Sequence, residues 1–471
     1  MASTLTPKLA LARSVGAISR LRGGGGTSAP GKLLMWLSPG AIGELGARLA
    51  RGSVLVSATN GKTTTAAMLA AIFQRAGIGL VHNQAGANMA GGIATTLLDA
   101  ALPHGEIAGE LGLFEVDEMW LGSLAEQLSP RAILLGNLFR DQLDRYGELE
   151  TIAERWRETL SEHERATLVL NADDPLVADL GHEHPQAIYF GVEDDTLALP
   201  GLAHAVDAKH CRRCGAPYAF DAVYLGHLGH YHCPSCGQAR PQPSVSACEV
   251  ELEGVRSASF TLRTPAGRTR ISLSLPGLYN VYNALAAAAL AHALGVPLET
   301  IAAGLGETKA AFGRAESVLV SATHDGSAPR ELRIMLVKNP AGANEVLRTL
   351  ALEPGSHDLL GVLNDRIADG RDVSWIWDAD FELLAARVRS FTCSGTRATD
   401  LAARLKYAGV EPARIRVCER LSDALDAAVA DRPEDADTAD GAPLFALPTY
   451  TAMLSLRELL VARGEASSAW S

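Results

Sequence analysis

The chain has 471 residues, with 42 Lys plus Arg against 54 Asp plus Glu, a formal net charge of −12 and a pI near 5.6. That acidic balance argues against a protein that works by coating phosphate backbones. Apolar residues at 47% and charged residues at 20% are ordinary globular usage and exclude disorder, and the length suggests roughly two to four domains.

The N-terminus sets Lys8, Arg13, Arg20 and Arg22 among Leu, Val, Ile and Ala. Arg13 and Ser14 interrupt the apolar run that a signal peptide needs. The segment therefore reads as a short basic helix, an ordinary first helix of the fold, with grazing contact to an anionic membrane surface as the alternative. Gly23–Gly26 breaks the chain after it. No run of about 18 apolar residues occurs anywhere, so the sequence predicts a cytosolic chain with at most peripheral membrane contact.

Strands are predicted at Ser53–Ala58, Leu113–Val116, Ala132–Gly136, Thr167–Leu170 and Ala187–Phe190, with a helix over Lys62–Ala76. Such alternation implies βαβ units and a mostly parallel sheet. Between about 205 and 245 the rhythm stops in favour of Gly, Pro, His and two cysteine pairs, which marks an insertion. Glu249–Leu252, Ser259–Arg263 and Arg270–Leu275 then alternate like antiparallel strands, followed by helices at Val281–Leu294 and Leu298–Leu305. A second α/β alternation opens after Glu316, with strands at Ser317–Val320, Leu332–Val337, Leu359–Leu363, Ser390–Cys393, Arg414–Val417 and Leu444–Leu447. The expected architecture is α/β: an N-terminal helical segment and linker (1–52), a P-loop domain (53–315) carrying the insertion (205–245), and a Rossmann-like C-terminal domain (316–471).

Ser57-Ala-Thr-Asn-Gly-Lys-Thr-Thr-Thr65 lies directly between a predicted strand and a predicted helix. A phosphate-binding loop needs backbone N–H groups aimed at the phosphates, Gly for close approach, Lys for the terminal oxygens and a hydroxyl for Mg²⁺. Gly61, Lys62 and Thr63 fill those roles, flanked by Thr59, Asn60 and Thr64. The T-N-G-K-T loop resembles that of the Mur ligases and folyl-polyglutamate synthetases, which are ATP-dependent amide-forming enzymes. Further motifs follow in the family's order. Glu115, in Phe-Glu-Val-Asp-Glu, matches the family's Mg²⁺-binding glutamate. Asn137-Leu-Phe-Arg-Asp-Gln-Leu-Asp-Arg145 resembles its N-x-x-x-D-H-x-D stretch, with Gln142 in place of the metal-contacting histidine. Gly277-Leu-Tyr-Asn-Val-Tyr-Asn-Ala284 resembles G-x-H-N-x-x-N-A, which implies that Asn283 faces the adenine. Phe312-Gly-Arg314 looks like the arginine that reaches the nucleotide phosphates, and Lys338-Asn-Pro-Ala-Gly342 like the nucleotide-contacting loop that opens the C-terminal domain. The lysine whose carbamate helps hold a second metal in several Mur ligases has no counterpart between Asn171 and Lys209.

Cys211/Cys214 and Cys233/Cys236 form two Cys-x-x-Cys knuckles 18 residues apart, the donor set of a closed, structural Zn²⁺ site, with His210, His227, His230 and His232 as alternative ligands. Gly215 and Gly237 follow where the turns need permissive backbone. Leu363-Asn-Asp-Arg-Ile-Ala-Asp-Gly-Arg-Asp-Val-Ser-Trp-Ile-Trp-Asp378 sets a carboxylate cluster beside Trp375 and Trp377, an expected contact surface. Together with the insertion and the Asn137–Glu148 stretch, it is similar to the MurT family, the ligase subunits of lipid II isoglutaminyl synthase. That resemblance implies ATP-dependent amidation of the D-glutamate α-carboxylate of the lipid II stem peptide, fed with ammonia by a separate glutaminase subunit, GatD. It also implies that an aspartate here, Asp369 or Asp372, completes the partner's Cys–His pair, with Asp378 nearby. Two rivals are a ligase that adds an amino acid to a folate-like or peptide carboxylate and a zinc-ribbon NTPase acting on nucleic acid. The acidic charge speaks against the second.

Overall fold

The computed structural model describes residues 6–21, 28–83, 87–103, 106–141, 148–201, 207–308, 314–322, 329–432 and 442–466. Two sheets organise the chain. The first is built from β1 (Ser53–Ser57), β2 (Leu80–His82), β3 (Leu111–Glu115), β4 (Ala132–Leu135), β5 (Thr167–Asn171), β6 (Ala187–Val192), β9 (Val245–Glu253), β10 (Ser257–Thr264) and β11 (Gly267–Leu273), in the order β11-β10-β9-β6-β5-β4-β1-β3-β2. Strands β1, β3 and β4 are buried along their whole length. This is why they read as continuous apolar runs rather than alternating ones. β1 has β4 on one side and β3 on the other, both parallel, so the chain leaves β1 at a topological switch point, where crevices open in such sheets.

The antiparallel trio β9–β11 is joined to the parallel part because β9 pairs in parallel with β6, Phe190 opposite Val245. The sequence suggested the trio but not this junction, since the insertion separates the two partners. Within the insertion, β7 (Ala219–Leu225) and β8 (Leu228–His232) form a separate two-stranded ribbon.

The N-terminal reading is corrected. In place of one helix and a linker there are α1 (Thr6–Leu21), α2 (Ala29–Leu37) and α3 (Ala41–Gly46). The Gly23–Gly26 break lies outside the described residues. The next helices are α4 (Lys62–Arg75) and α5 (Ala90–Ala100). Gly31 of α2 rests on α5, where a Cβ would come 1.9 Å from Gly91 O, and its N–H donates to Thr95 Oγ1 at 2.9 Å. α1 buries Leu9 and Ala12 in the same core, and the Arg13 guanidinium donates to the carbonyls of Leu98 and Ala101 at the negative end of α5.

The second sheet runs β12-β13-β17-β14-β15-β16, with β12 (Arg314–Val320), β13 (Arg330–Met335), β14 (His357–Val362), β15 (Val388–Ser394), β16 (Ile415–Val417) and β17 (Leu444–Pro448). Only the β12–β13 pairing is antiparallel. Apolar clusters cover both faces of each sheet. The remaining helices are α6 (Leu121–Leu128), α7 (Leu149–Glu162), α8 (Pro175–Ala178), α9 (Leu278–Ala293), α10 (Leu298–Gly306), α11 (Pro340–Ala351), α12 (Ala398–Tyr407), α13 (Leu421–Ala430) and α14 (Tyr450–Ala462). Among the described residues no helix is long and apolar enough to cross a membrane.

Candidate active site

The loop between β1 and α4 is held from three sides. Asn137, just past β4, accepts the Asn60 N–H at 2.9 Å on Oδ1 and donates from Nδ2 to Asn60 O at 3.0 Å. The Thr59 hydroxyl accepts the Phe139 N–H at 3.0 Å, and Thr59 N donates to Asn137 O. Gly61 adopts φ +85°, and a Cβ there would sit 1.9 Å from Asn283 Oδ1, so only glycine fits. No side chain caps α4, which leaves its first-turn N–H groups for an anion. Thr64 is buried, and the Thr63 hydroxyl has no hydrogen-bond partner among the described residues.

Lys62 turns inward. Its ammonium donates to Ala58 O and lies 2.9 Å from Glu118 Oε2, both side chains being almost wholly buried. Burial alone would push this ammonium down, but Glu118, with Glu115 and Asp117, outweighs burial and holds it above its ordinary value. Glu115 reaches the site because β1 and β3 run parallel with Val56 opposite Glu115. Asn83 clamps its backbone, accepting the Glu115 N–H at 2.9 Å and donating to its carbonyl at 2.8 Å. The Glu115 carboxylate makes no hydrogen bond or ion pair among the described residues and acts on Lys62 through its charge alone. Glu118 is fixed through its carbonyl, which accepts the Trp156 indole N–H at 3.0 Å.

The second sheet closes on the same loop. Lys338 donates to Thr59 O at 3.1 Å and pairs with Asp141 at 2.5 Å. The other Asp141 oxygen is buried without a hydrogen bond among the described residues. Asn339 caps α11 through Gly342 N–H and exchanges amide hydrogen bonds with Asn60 at 3.0 and 3.3 Å. Arg314 opens β12 opposite Met335, and Gln142 lies outside the described residues.

In the insertion, the Cys211, Cys214, Cys233 and Cys236 sulfurs lie within 4.8 Å of one another. Each knuckle turns through a glycine at positive φ, Gly215 at 76° and Gly237 at 78°, whose N–H donates back to Cys211 O or Cys233 O. The N–H groups of Cys236 and Ser235 pull the Cys233 thiol down to about 6. At Cys236 the Gln238 N–H favours thiolate, but burial and the shared hydrogen bonds with the other cysteines prevail and push it up to about 12. Four thiolates this close cannot all carry charge without a cation between them, so the cluster is compatible with zinc. The histidine alternatives are not part of it: His227 is buried beside Asp174 and Phe139, His230 faces Val192 O and Tyr224, and His232 pairs with Asp221.

The carboxylate segment separates into distinct environments. Asp369 is buried, and both its oxygens are committed to Thr451, one to the N–H at 2.7 Å and one to the hydroxyl at 2.5 Å, at the start of α14. Asp372 is exposed and accepts the Ser374 N–H at 2.8 Å. Asp378 is 3.2 Å from Arg140. Trp375 packs partly into the second sheet's core, contrary to the expected pair of exposed aromatics, whereas Trp377 is exposed beside Tyr407 and Arg404.

Residues 336–453 match the family described as MurT ligase C-terminal, and residues 56–211 match the Mur ligase middle domain. Over 448 residues the chain is 32% identical to the lipid II isoglutaminyl synthase (glutamine-hydrolyzing) subunit MurT of Streptococcus pneumoniae, covering 95% of this chain and 94% of that one. The chain belongs to the MurT family. The MurT of Staphylococcus aureus is 33% identical over 402 residues, 85% of this chain and 87% of that one. Among solved structures, a pseudomurein peptide ligase type C from Methanothermus fervidus aligns with a TM-score of 0.65 at 23% identity, covering 88% of this chain and 79% of that one. MurF from Acinetobacter baumannii aligns at 0.62 and 20% identity, covering 93% and 80%. At these identities the likeness establishes the Mur ligase fold. The family uses ATP and Mg²⁺, and MurT proteins are subunits, so a partner chain is implied.

Asn283, expected to face an adenine, is buried under the loop, its amide accepting from Thr65 Oγ1 at 3.3 Å and donating to Asn280 Oδ1 at 3.1 Å. Glu118, Asn137 and Asn339 lie inside motifs quoted from the sequence but were given no role of their own there, and Asn83 lay in none. Glu118 stands three residues after Glu115, and that spacing was the one available sign.

Proposed function

We propose that this chain is the ligase subunit of a lipid II isoglutaminyl synthase. It would convert the D-glutamate α-carboxylate of the lipid II stem peptide to D-isoglutamine, in peptidoglycan biosynthesis at the inner face of the cell membrane. Similarity to MurT relatives along 95% of the chain carries this reading, and the charge arrangement at the loop supports it. The substrate carboxylate attacks the γ-phosphorus of ATP and ADP leaves. Ammonia then attacks the acyl carbon, inorganic phosphate leaves, and the nitrogen sheds a proton. Lys62 and the first-turn N–H groups of α4 bind and neutralise the phosphates, and Lys338 brings a second cation from the C-terminal sheet. The free Thr63 hydroxyl and Glu115 carboxylate would hold Mg²⁺, which neutralises charge on the transferring phosphoryl group. Ammonia comes from a glutaminase partner, GatD, whose Cys–His pair Asp372 would complete.

The purified chain with MgATP, lipid II and ammonium salt should yield a product in which hydroxyl is replaced by amine by mass spectrometry. ADP release driven by an amino acid, with no such product, would move the chain to the amino-acid-adding ligases.

Cys211, Cys214, Cys233 and Cys236 would hold a structural zinc, far from the chemistry in role. Metal analysis should find one zinc per chain, and Cys211→Ser should lose it and lower the melting temperature by roughly 5 °C or more. Zinc-free protein with unchanged melting would refute the site.

A further inference from the structure

The sequence holds no Asp or Glu before Glu44, whereas Lys8, Arg13, Arg20, Arg22 and Lys32 give that stretch five positive charges in a chain of net −12. α1 and α2 pack on each other and both pack on α5, burying Leu9, Ala12 and Leu34. Their opposite faces therefore look outward together. On α1 that face carries Lys8 and, three residues on, Leu11 at 52% exposure. On α2 it carries Trp36 at 78% exposure, and Lys32, four residues before, is exposed at its edge with its stem along Gly91 of α5. Those spacings put each cation and its apolar neighbour on one helical face. Trp36 is the most exposed large apolar side chain among the described residues, and neither lysine has an ion-pair partner among them.

An indole beside lysines on two helices that carry no acidic residue matches the boundary of an anionic bilayer, where the ring lies at headgroup level and the ammonium groups meet lipid phosphates. We propose that the outer face of α1 and α2, centred on Trp36 with Leu11, Lys8 and Lys32, docks the enzyme on anionic phospholipid. Charge complementarity between these cations and lipid phosphate selects the occupant. Its use, bringing the active site to a lipid-linked substrate, rests on the function proposed above.

The test is flotation of the complex of this chain with its glutaminase subunit, on phosphatidylglycerol–phosphatidylcholine vesicles against phosphatidylcholine alone, without lipid II. Binding is expected only to the anionic vesicles and should weaken with salt. Lys8→Gln and Lys32→Gln should each lower partitioning roughly fivefold, and Trp36→Ala roughly tenfold. Melting temperature and amidation of detergent-dispersed lipid II should stay unchanged in all three variants. Absence of binding to anionic vesicles, or variants that bind as well as the parent, would overturn the proposal. So would hydrogen exchange showing α2 covered by the glutaminase or by a second copy. Because no lipid II is present, failure here leaves the ligase reading standing, and a complex that floats but does not amidate would refute only that reading.

Discussion

Lys62→Ala is expected to lower ATP-dependent amidation by about two to three orders of magnitude, and also to destabilise the fold. The two effects have different causes and can be separated. The ammonium lies among Glu115, Asp117 and Glu118, which together hold it above its ordinary value. Its removal takes away phosphate neutralisation and at the same time leaves Glu118, buried and 2.9 Å away, as an uncompensated charge. Breaking one partner of such a buried pair typically costs about 3–5 kcal/mol, whereas neutralising both is far milder. The double variant Lys62→Ala/Glu118→Gln should therefore recover most of the melting temperature and none of the activity, a non-additivity expected of side chains in direct contact. Recovery of amidation in the double variant would show that Lys62 serves the fold and not the phosphates.

How much of this was legible in the sequence follows from where each signal is stored. The loop from Thr59 to Thr64 declares itself because phosphate binding fixes residue types at fixed local spacing. The strands of the second sheet were found because parallel strands buried on both faces are short continuous apolar runs, as in Leu359–Leu363. The three-residue β2 carries too little pattern to be seen. α2 and α3 were missed because their burial depends on a distant partner: Gly31 is helical here because Gly91 and Thr95 lie against it. The long-range hydrogen bonds have the same character. Asn60 meets Asn339 across 279 positions, and no local spacing encodes that. Asn283 shows the complement: a local motif marks the residue, while its contacts across the fold are not encoded in that motif. Its amide is consumed by Thr65 and Asn280 beneath Gly61.

Asp372→Asn is expected to reduce glutamine-dependent amidation by roughly a thousandfold or more while leaving amidation from ammonium salt unchanged. The sequence left Asp369 and Asp372 equivalent, and their surroundings separate them. An aspartate that orients a partner's histidine must be ionised, must present a free oxygen at the surface, and must be held still. Asp369 meets none of the surface requirements: it is buried, and both oxygens are taken by Thr451. Asp369→Asn should therefore weaken the start of α14, by about 1 kcal/mol or more, and impair both ammonia sources together. Asp372 is exposed, and its Oδ1 is steadied by the Ser374 N–H. The backbone and side-chain hydrogen bonds from Ser374 also hold its carboxyl below the ordinary range. Its charge is thus kept as pH falls through the usual carboxylate range and is lost only lower, so the acid limb of glutamine-dependent activity should be set by the partner's own titrating groups. Parallel assays with glutamine and with ammonium decide the matter. Equal losses from both sources in Asp372→Asn would place that residue in the ligase reaction or the fold, and a selective loss in Asp369→Asn would reverse the assignment.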